Sequence, residues 1–514
     1  MRTDGRSRRR HPEPPTPDVS RLSVAIRPRP GGSTIAYIGR SIRGSLSRTD
    51  AGNILVLLVI LLLGIPSALI FRPLGAAGTP ANMLGMILLL WWVAARIVPG
   101  FGVSSRRQPI RIAMGIFVLV VLLSYVSAML HGWGMPIGLQ ERTAYGSGIL
   151  QPARLDQVAT KEINAADRGL LSLAAWTGIA LVTADGLRTR RRLDLILTAI
   201  VLMGTFVASL GMLQYFFDLD LVKYFQIPGL HPNSDFGSIA LRTVRRVEGT
   251  AVHPIEYGVV LAAILPIAIH RALYAPRGRR FFPWLCTAVI GIALPMSVSR
   301  SAILALFVAA IIMFAGWGTG RKIAGLIVAV LFAGAMKLMV HGLLGTVRSL
   351  FTNLGNDPSI EGRTEDYHVA ALLIREHPFF GRGFFTFIPA LYRTFDNAYL
   401  LALVEIGILG MLALLAVFVV GIFTARGARL RAVDDKGRDL GQVLAASLAA
   451  IMVSAATFDL LGFPMAAGLA FLLLGCAGAL YRLNRDEREA QDQAQLSANA
   501  SAERSRTRRA GIPA

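Results

Sequence analysis

Cysteine is scarce in this sequence. Cys286 and Cys476 are the only two in 514 residues, and both sit inside apolar runs. They read as small core residues, with no disulfide framework or thiolate metal site implied. Cofactor signatures are missing too: there is no phosphate-cradling GxxxxGK[ST] and no HExxH. His253, His368 and His377 fall in different segments without metal-ligand spacing. Charge is thin at 16% of residues, where a soluble chain of this length carries roughly a quarter. No internal repeat and no soluble enzymatic domain can be traced.

What the sequence has in abundance is apolar residues, 54% of the chain, with a mean hydropathy of +0.54. They fall in blocks of about 20 residues, enough to cross a hydrocarbon core of roughly 30 Å. About twelve such blocks run from Ala51–Phe71 to Phe463–Tyr481, and each must pair its backbone internally as a helix. The fold class expected is an all-α polytopic membrane protein with about twelve transmembrane helices.

The net charge of +22 could suggest a nucleic-acid partner, but its distribution excludes that class. Arginine gathers in the N-terminal tail, in alternate short connections such as Arg188/Arg190/Arg191/Arg192 and Arg426/Arg429/Arg431, and in the C-terminal tail. That pattern places both termini and these connections on the cytoplasmic side. Residues 1–50, rich in Arg, Pro, Gly and Ser, read as a disordered cytoplasmic tail, and 482–514 as an exposed, partly disordered one. The domain between them, 51–481, has three long extracytoplasmic loops at 131–168, 218–253 and 345–395. Loops on one face of a bundle are where sites are built.

The polar residues of those loops form a short series. RRVEGTAVHPIEYG brings Arg246, Glu248, His253 and Glu256 to a helix start at Pro254. It reads either as a capped helix, with Glu256 complementing the dipole, or as an anion site beside helix-start amides. MSVSRSA places Arg300 on the outer side, either snorkelling at a helix end or facing the bundle. The stretch from Glu361 to Gly410 begins with a polar segment. Tyr367, Ala370, Ala371 and Ile374 recur there at helical spacing, as a short amphipathic helix would have them. Pro378 stops that helix, and Gly381 and Gly383 flank Arg382 in a flexible turn. Asp396-Asn397 then opens an apolar helix, as a base or as an ordinary N-cap. Glu405 lies deeper in that helix, where a carboxylate must face protein or water.

Taken together, RRVEGTAVHPIEYG, SVSRSA, GRTEDYHVAALLIREHPFFGRG and DNAYLLALVEIGILG resemble the O-antigen ligase and O-antigen polymerase superfamily of bacterial membrane glycosyltransferases. The resemblance covers most of the membrane part and is strongest from Arg246 to Gly410. It implies a GT-C-like architecture in the bacterial plasma membrane. It also implies transfer of glycan from a polyprenyl-(pyro)phosphate carrier to a lipid or glycan acceptor hydroxyl on the outer face, without cofactor or metal. Other envelope-polysaccharide assembly proteins are implied partners. The family's diphosphate-holding arginines correspond to Arg246, Arg363 and Arg300. The family often has His-Asn where this chain has Asp396-Asn397, so the base would be a carboxylate, or the position a cap. On this reading Asp396 and Arg363 are catalytic, and Arg246, Arg300, Glu256, Arg382 and Asn397 bind substrate. Two alternatives stand beside it: a secondary transporter of a small solute such as bicarbonate, and a non-catalytic assembly subunit.

Overall fold

The computed structural model describes residues 51–97, 108–130, 155–233, 247–339, 358–389, 392 and 394–509. The N-terminal tail, Arg246 and the greater part of the 131–168 loop lie outside the described residues. Among the described residues the regular secondary structure is helical except for one two-stranded ribbon. Twelve helices fall on the twelve apolar blocks. They are α1 (Ala51–Gly64), α2 (Pro80–Ile97), α3 (Pro109–Leu130), α4 (Leu155–Gly186), α5 (Arg190–Phe217) and α6 (Pro254–Leu273), then α7 (Phe281–Ser297), α8 (Arg300–Gly316) and α9 (Thr319–Met339). A further helix, α10 (Pro358–Glu376), precedes α11 (Ala398–Arg431), α12 (Asp435–Ser454) and α13 (Pro464–Arg509). Among the described residues, seven helices are long and apolar enough to cross a membrane: α2, α3, α4, α5, α6, α11 and α13. The chain is an all-α polytopic membrane protein.

The core is layered around α13, whose apolar stretch is 94% buried, against 22% for the peripheral α2. Trp176 of α4 stacks on Phe471 of α13 with ring centroids 5.4 Å apart. Outward-facing residues such as Leu90, Leu119 and Phe307 are exposed and apolar, as a lipid-facing surface requires. Three helices exceed the blocks that announced them. α13 does not end at Tyr481 but continues to Arg509, because the tail's Ala, Gln, Glu and Arg are good helix formers. α4 begins at Leu155, so the last part of the first long loop is helical. α10 starts at Pro358, ahead of the expected start at Thr364.

The second long loop is pinned to the α1–α2 connection. β1 (Leu69–Ile70) pairs antiparallel with β2 (His231–Pro232), and Ser67 N donates to Thr250 O at 2.8 Å.

The decisive irregularity lies in α11, which breaks at Gly407 (φ 66°, ψ −172°). Inside a bilayer the backbone groups freed by such a break must find protein partners. The segment after α10 supplies them. Arg382 N and Gly383 N donate to the carbonyls of Val404 (3.0 Å) and Glu405 (2.8 Å). In return, Ile408 N and Leu409 N donate to the carbonyls of Pro378 (2.9 Å) and Phe379 (3.3 Å). Two glycines allow the backbones to meet. A Cβ on Gly381 would lie 2.3 Å from Glu405 O, and one on Gly407 would lie 2.3 Å from Phe379 O. The turn around Arg382 is therefore not flexible: Gly381, Arg382 and Gly383 are all buried.

Gly407→Ala should destabilise the fold by more than about 3 kcal/mol, since it adds a left-handed penalty of about 1–2 kcal/mol to a backbone clash. Gly291→Ala, in α7, meets nothing within 4 Å and should be neutral or gain up to about 1 kcal/mol. Thermal unfolding of the detergent-solubilised chain measures both.

Candidate active site at the loop end

The helix starts at the long-loop end are tied together by one short connection, residues 455–463 between α12 and α13. Ala398 N, at the start of α11, donates to the carbonyls of Ala455 (2.9 Å) and Phe458 (3.1 Å). Thr457 Oγ1 bonds Ser301 Oγ of α8 at 2.8 Å. The ring of His253, before α6, lies 5.8 Å from that of Phe463. Glu256 is fully buried and reaches from α6 to the first turn of α13, where its Oε1 accepts from Met465 N (2.8 Å) and Ala466 N (3.0 Å). Its other oxygen accepts from Val252 N at 2.9 Å and Ser67 Oγ at 3.4 Å. A carboxylate at a helix start complements the dipole, and here the helix it serves is α13 as well as its own.

Three caps settle which polar residues are held by the backbone. Asn397 caps α11, its Oδ1 accepting from Tyr399 N (3.0 Å) and Leu400 N (3.2 Å). The adjacent Asp396 is therefore not the cap. His253 Nδ1 caps α6 by accepting from Ile255 N at 3.1 Å. Ser299 caps α8 by accepting from Ala302 N at 3.3 Å, which puts Arg300 at the first helical position. Val298 just before it is left-handed at φ 46°. For a β-branched residue that costs roughly 1–2 kcal/mol.

A second carboxylate that the sequence reading missed, Asp459, lies near enough to half-buried Asp396 to feel its charge. Asp459 Oδ1 accepts from Gly462 N at 3.1 Å. Burial, and then the charge of Asp396, push its carboxyl up from 3.8 to about 6. The folded state thus holds this proton more tightly than the unfolded chain does, and the residue's contribution to stability falls as pH rises from about 4 to 6. An acid kept at such a cost is a functional candidate. Glu248, two residues beyond Arg246, is likewise raised to about 7, by burial first and then by Asp220 and Glu256.

Arg382 is 2% exposed, with its guanidinium on Glu162 of α4 at 3.2 Å and on Tyr392 Oη at 2.9 Å. Tyr392 Oη also donates to Glu162. Burial pushes the Tyr392 hydroxyl up to about 12. Tyr392 stacks on Phe387 (5.0 Å), and Phe387 on Phe395 (4.5 Å), next to Asp396. α10 packs Val369, Ala370 and Leu373 onto this stack and onto Leu400 and Val404 of α11. The α10 face carrying buried Asp366, Ala370 and Leu373 passes, by helical register, through position 363. The side chain of Arg363 itself lies outside the described residues, as does all of Arg246.

The structure therefore gathers Asp396, Asn397, Glu256 and the turn bearing Arg300 around 455–463. It sets Arg382 apart in its pair with Glu162. Residues 285–415 match the family model described as O-antigen ligase. Over that segment the chain is similar to the O-antigen ligase family. The matched span takes in Arg300, Arg363, Arg382 and Asp396-Asn397, while Glu162, Glu256 and Asp459 lie outside it. No curated protein matches the chain. That similarity supports a role in surface-polysaccharide ligation or polymerisation for a multi-pass membrane protein.

Glu162→Leu should cost about 3–5 kcal/mol, because it leaves the Arg382 charge buried without its counter-ion. The double variant Glu162→Leu/Arg382→Met should recover most of that loss. Unfolding midpoints of the two variants compared with the parent decide it.

Proposed function

We propose that the chain is a glycosyltransferase that moves glycan from a polyprenyl-(pyro)phosphate carrier to an acceptor hydroxyl on the outer face of the plasma membrane. The observation that carries this reading is the pair Asp396 and Asp459. One, at the head of α11, is not its cap, since Asn397 fills that place; the other lies on the connection 455–463, whose carbonyls accept from Ala398 N at the start of α11. In the twelve-crossing, GT-C-like arrangement we propose, this end is extracytoplasmic and both termini are cytoplasmic, following the arginine bias.

The chemistry is a single displacement with inversion. Asp396 takes the proton of the acceptor hydroxyl as its oxygen bonds the anomeric carbon. The bond from that carbon to the carrier phosphate breaks, and its electron pair leaves on the (pyro)phosphate. Arg363, Arg300 and Arg246 hold the departing charge by charge-assisted bonds, so no metal is called on. Arg382 supports the site by locking the α11 break and the aromatic stack beneath Asp396. Glu256 fixes the geometry of the α6 and α13 starts.

The transport alternative calls for a broken helix whose free ends line a mid-membrane solute site. The break in α11 is instead filled by residues 378–383, which favours transfer.

Asp396→Asn should lower the transfer rate by about 10²–10⁴-fold in vesicles supplied with lipid-linked glycan and acceptor, with little change in folding. Retention of more than a tenth of the parent rate would remove Asp396 as base. The parent rate should also fall on the acid side with an apparent pKa near 6, where Asp459 takes up a proton. Proton uptake by the carboxylate pair opposes acceptance of another from the hydroxyl. Asp459→Asn should abolish that limb while transfer persists, a difference visible in pH–rate profiles.

A further inference from the structure

A polar cavity opens at the opposite, arginine-rich end of the bundle, and the proposed transfer chemistry makes no use of it. It encloses about 740 Å³ between the ends of α6, α8 and α11 and the starts of α9 and α12, a ligand-sized volume. Three arginines line it: Arg321, Arg429 and Arg438.

Two of these are held in place by the protein. Both terminal nitrogens of Arg321 donate to Tyr274 Oη at 3.2 Å, and the guanidinium lies 5.5 Å from the Tyr274 ring centroid. Buried Asp439 approaches Arg321 at 3.4 Å while its other oxygen is 2.6 Å from His270 Nδ1. Arg429 donates to Gly316 O at 3.2 Å. Arg438 is exposed. Asp439 is thus engaged on both oxygens, and exposed Asp435 is the other carboxylate in the wall. Three guanidinium groups against two carboxylates, Asp435 and Asp439, leave the wall with one positive charge in excess (three minus two), and Arg429 and Arg438 are the arginines not paired with Asp439.

The turn between α8 and α9 adds backbone donors. Gly318 and Gly320 line the cavity where α9 begins, and first-turn amides favour an anion. A Cβ on either glycine would meet nothing within 4 Å. One apolar side chain in the wall, Leu430, is 63% exposed, and further along α9 Ile323 and Leu326 are exposed apolar residues.

We propose that this cavity is a binding site for a phosphate-bearing anion, distinct from the transfer site. The three arginines take the phosphate oxygens, in the planar, bidentate geometry guanidinium groups provide. Leu430 in the wall, with the exposed apolar Ile323 and Leu326 further along α9, suits the acyl chains of an anionic phospholipid.

The test uses the full chain purified in zwitterionic detergent, with thermal unfolding followed in mixed micelles. Phosphatidylglycerol, phosphatidylcholine and inorganic phosphate are added in separate arms. Phosphatidylglycerol should raise the melting temperature by several degrees and phosphatidylcholine should not. Arg438→Ala and, separately, Gly318→Leu alter an exposed arginine and an open glycine, so both should fold. Each should raise the half-saturating phosphatidylglycerol concentration about tenfold or more. Equal protection by inorganic phosphate, weakened by the same variants, would keep the anion site and assign it to soluble phosphate compounds. The proposal is overturned if neither phosphatidylglycerol nor phosphate protects. It is equally overturned if phosphatidylcholine protects as well as phosphatidylglycerol, or if both variants leave the half-saturating concentration unchanged.

Discussion

A helix interrupted within a bilayer exposes amides and carbonyls that lipid cannot satisfy, at several kcal/mol for each group left unpaired. In this protein the break at Gly407 is closed by four backbone hydrogen bonds from the segment following α10. The two chains can approach so closely only because Gly381 and Gly407 have no side chain. Much else follows from that crossing. It anchors residues 378–383 against α11 and so fixes where Arg382 emerges. Arg382 then meets Glu162 and Tyr392 in a fully buried cluster, and Tyr392 continues into the stack of Phe387 and Phe395. The stack is the surface on which α10 lies. A loop that carries candidate chemistry is thereby built as rigidly as the core, which is what positioning of a reacting pair requires.

The second organising element is smaller. The connection 455–463 offers carbonyls to Ala398, a hydroxyl to Ser301 and an aromatic face to His253. Glu256 meets the helix that follows it. Four helix starts are held by one turn, so a displacement of any one would be felt by the others. Asp459 lies within that turn, where its ionised form is costly.

Much of this could be read in advance, for a definite reason. Lipid demands about 20 consecutive apolar residues per crossing, and among the described residues each apolar block carries a helix, seven of them long and apolar enough to span. The stretch from Glu361 to Gly410 was also legible as the place where polar residues collect. What stayed hidden depended on which residue reaches which. Asp396 and Asn397 are adjacent and both are good caps, so side-chain pattern could not choose between them. Only the bonds from Tyr399 N and Leu400 N do so. Glu162 sits in DQVATKEINAADRG, which reads as an ordinary polar loop, because its partner Arg382 is 220 residues away. Glu256 looked like a complement to its own helix dipole, and its reach to Met465 depends on tertiary packing. Asp459 left one signal, a lone acid in the otherwise apolar FDLLGF between two blocks. That pattern also describes any turn at a membrane surface.

The Asp-Asn pair at the head of α11 shows how a cap and a reactive group can occupy neighbouring positions. A side chain that caps has its acceptor oxygen committed to two amides, and a committed oxygen is a poor proton acceptor. Asn397 fills that role at no charge cost, since an amide oxygen accepts as a carboxylate does but does not titrate. Asp396 is left one residue outside the helix, and its charge acts on the buried Asp459 carboxyl, which it helps to push up to about 6. In the proposed transfer Asp396 takes the proton of the acceptor hydroxyl as negative charge moves onto the departing phosphate, which the arginines are placed to receive.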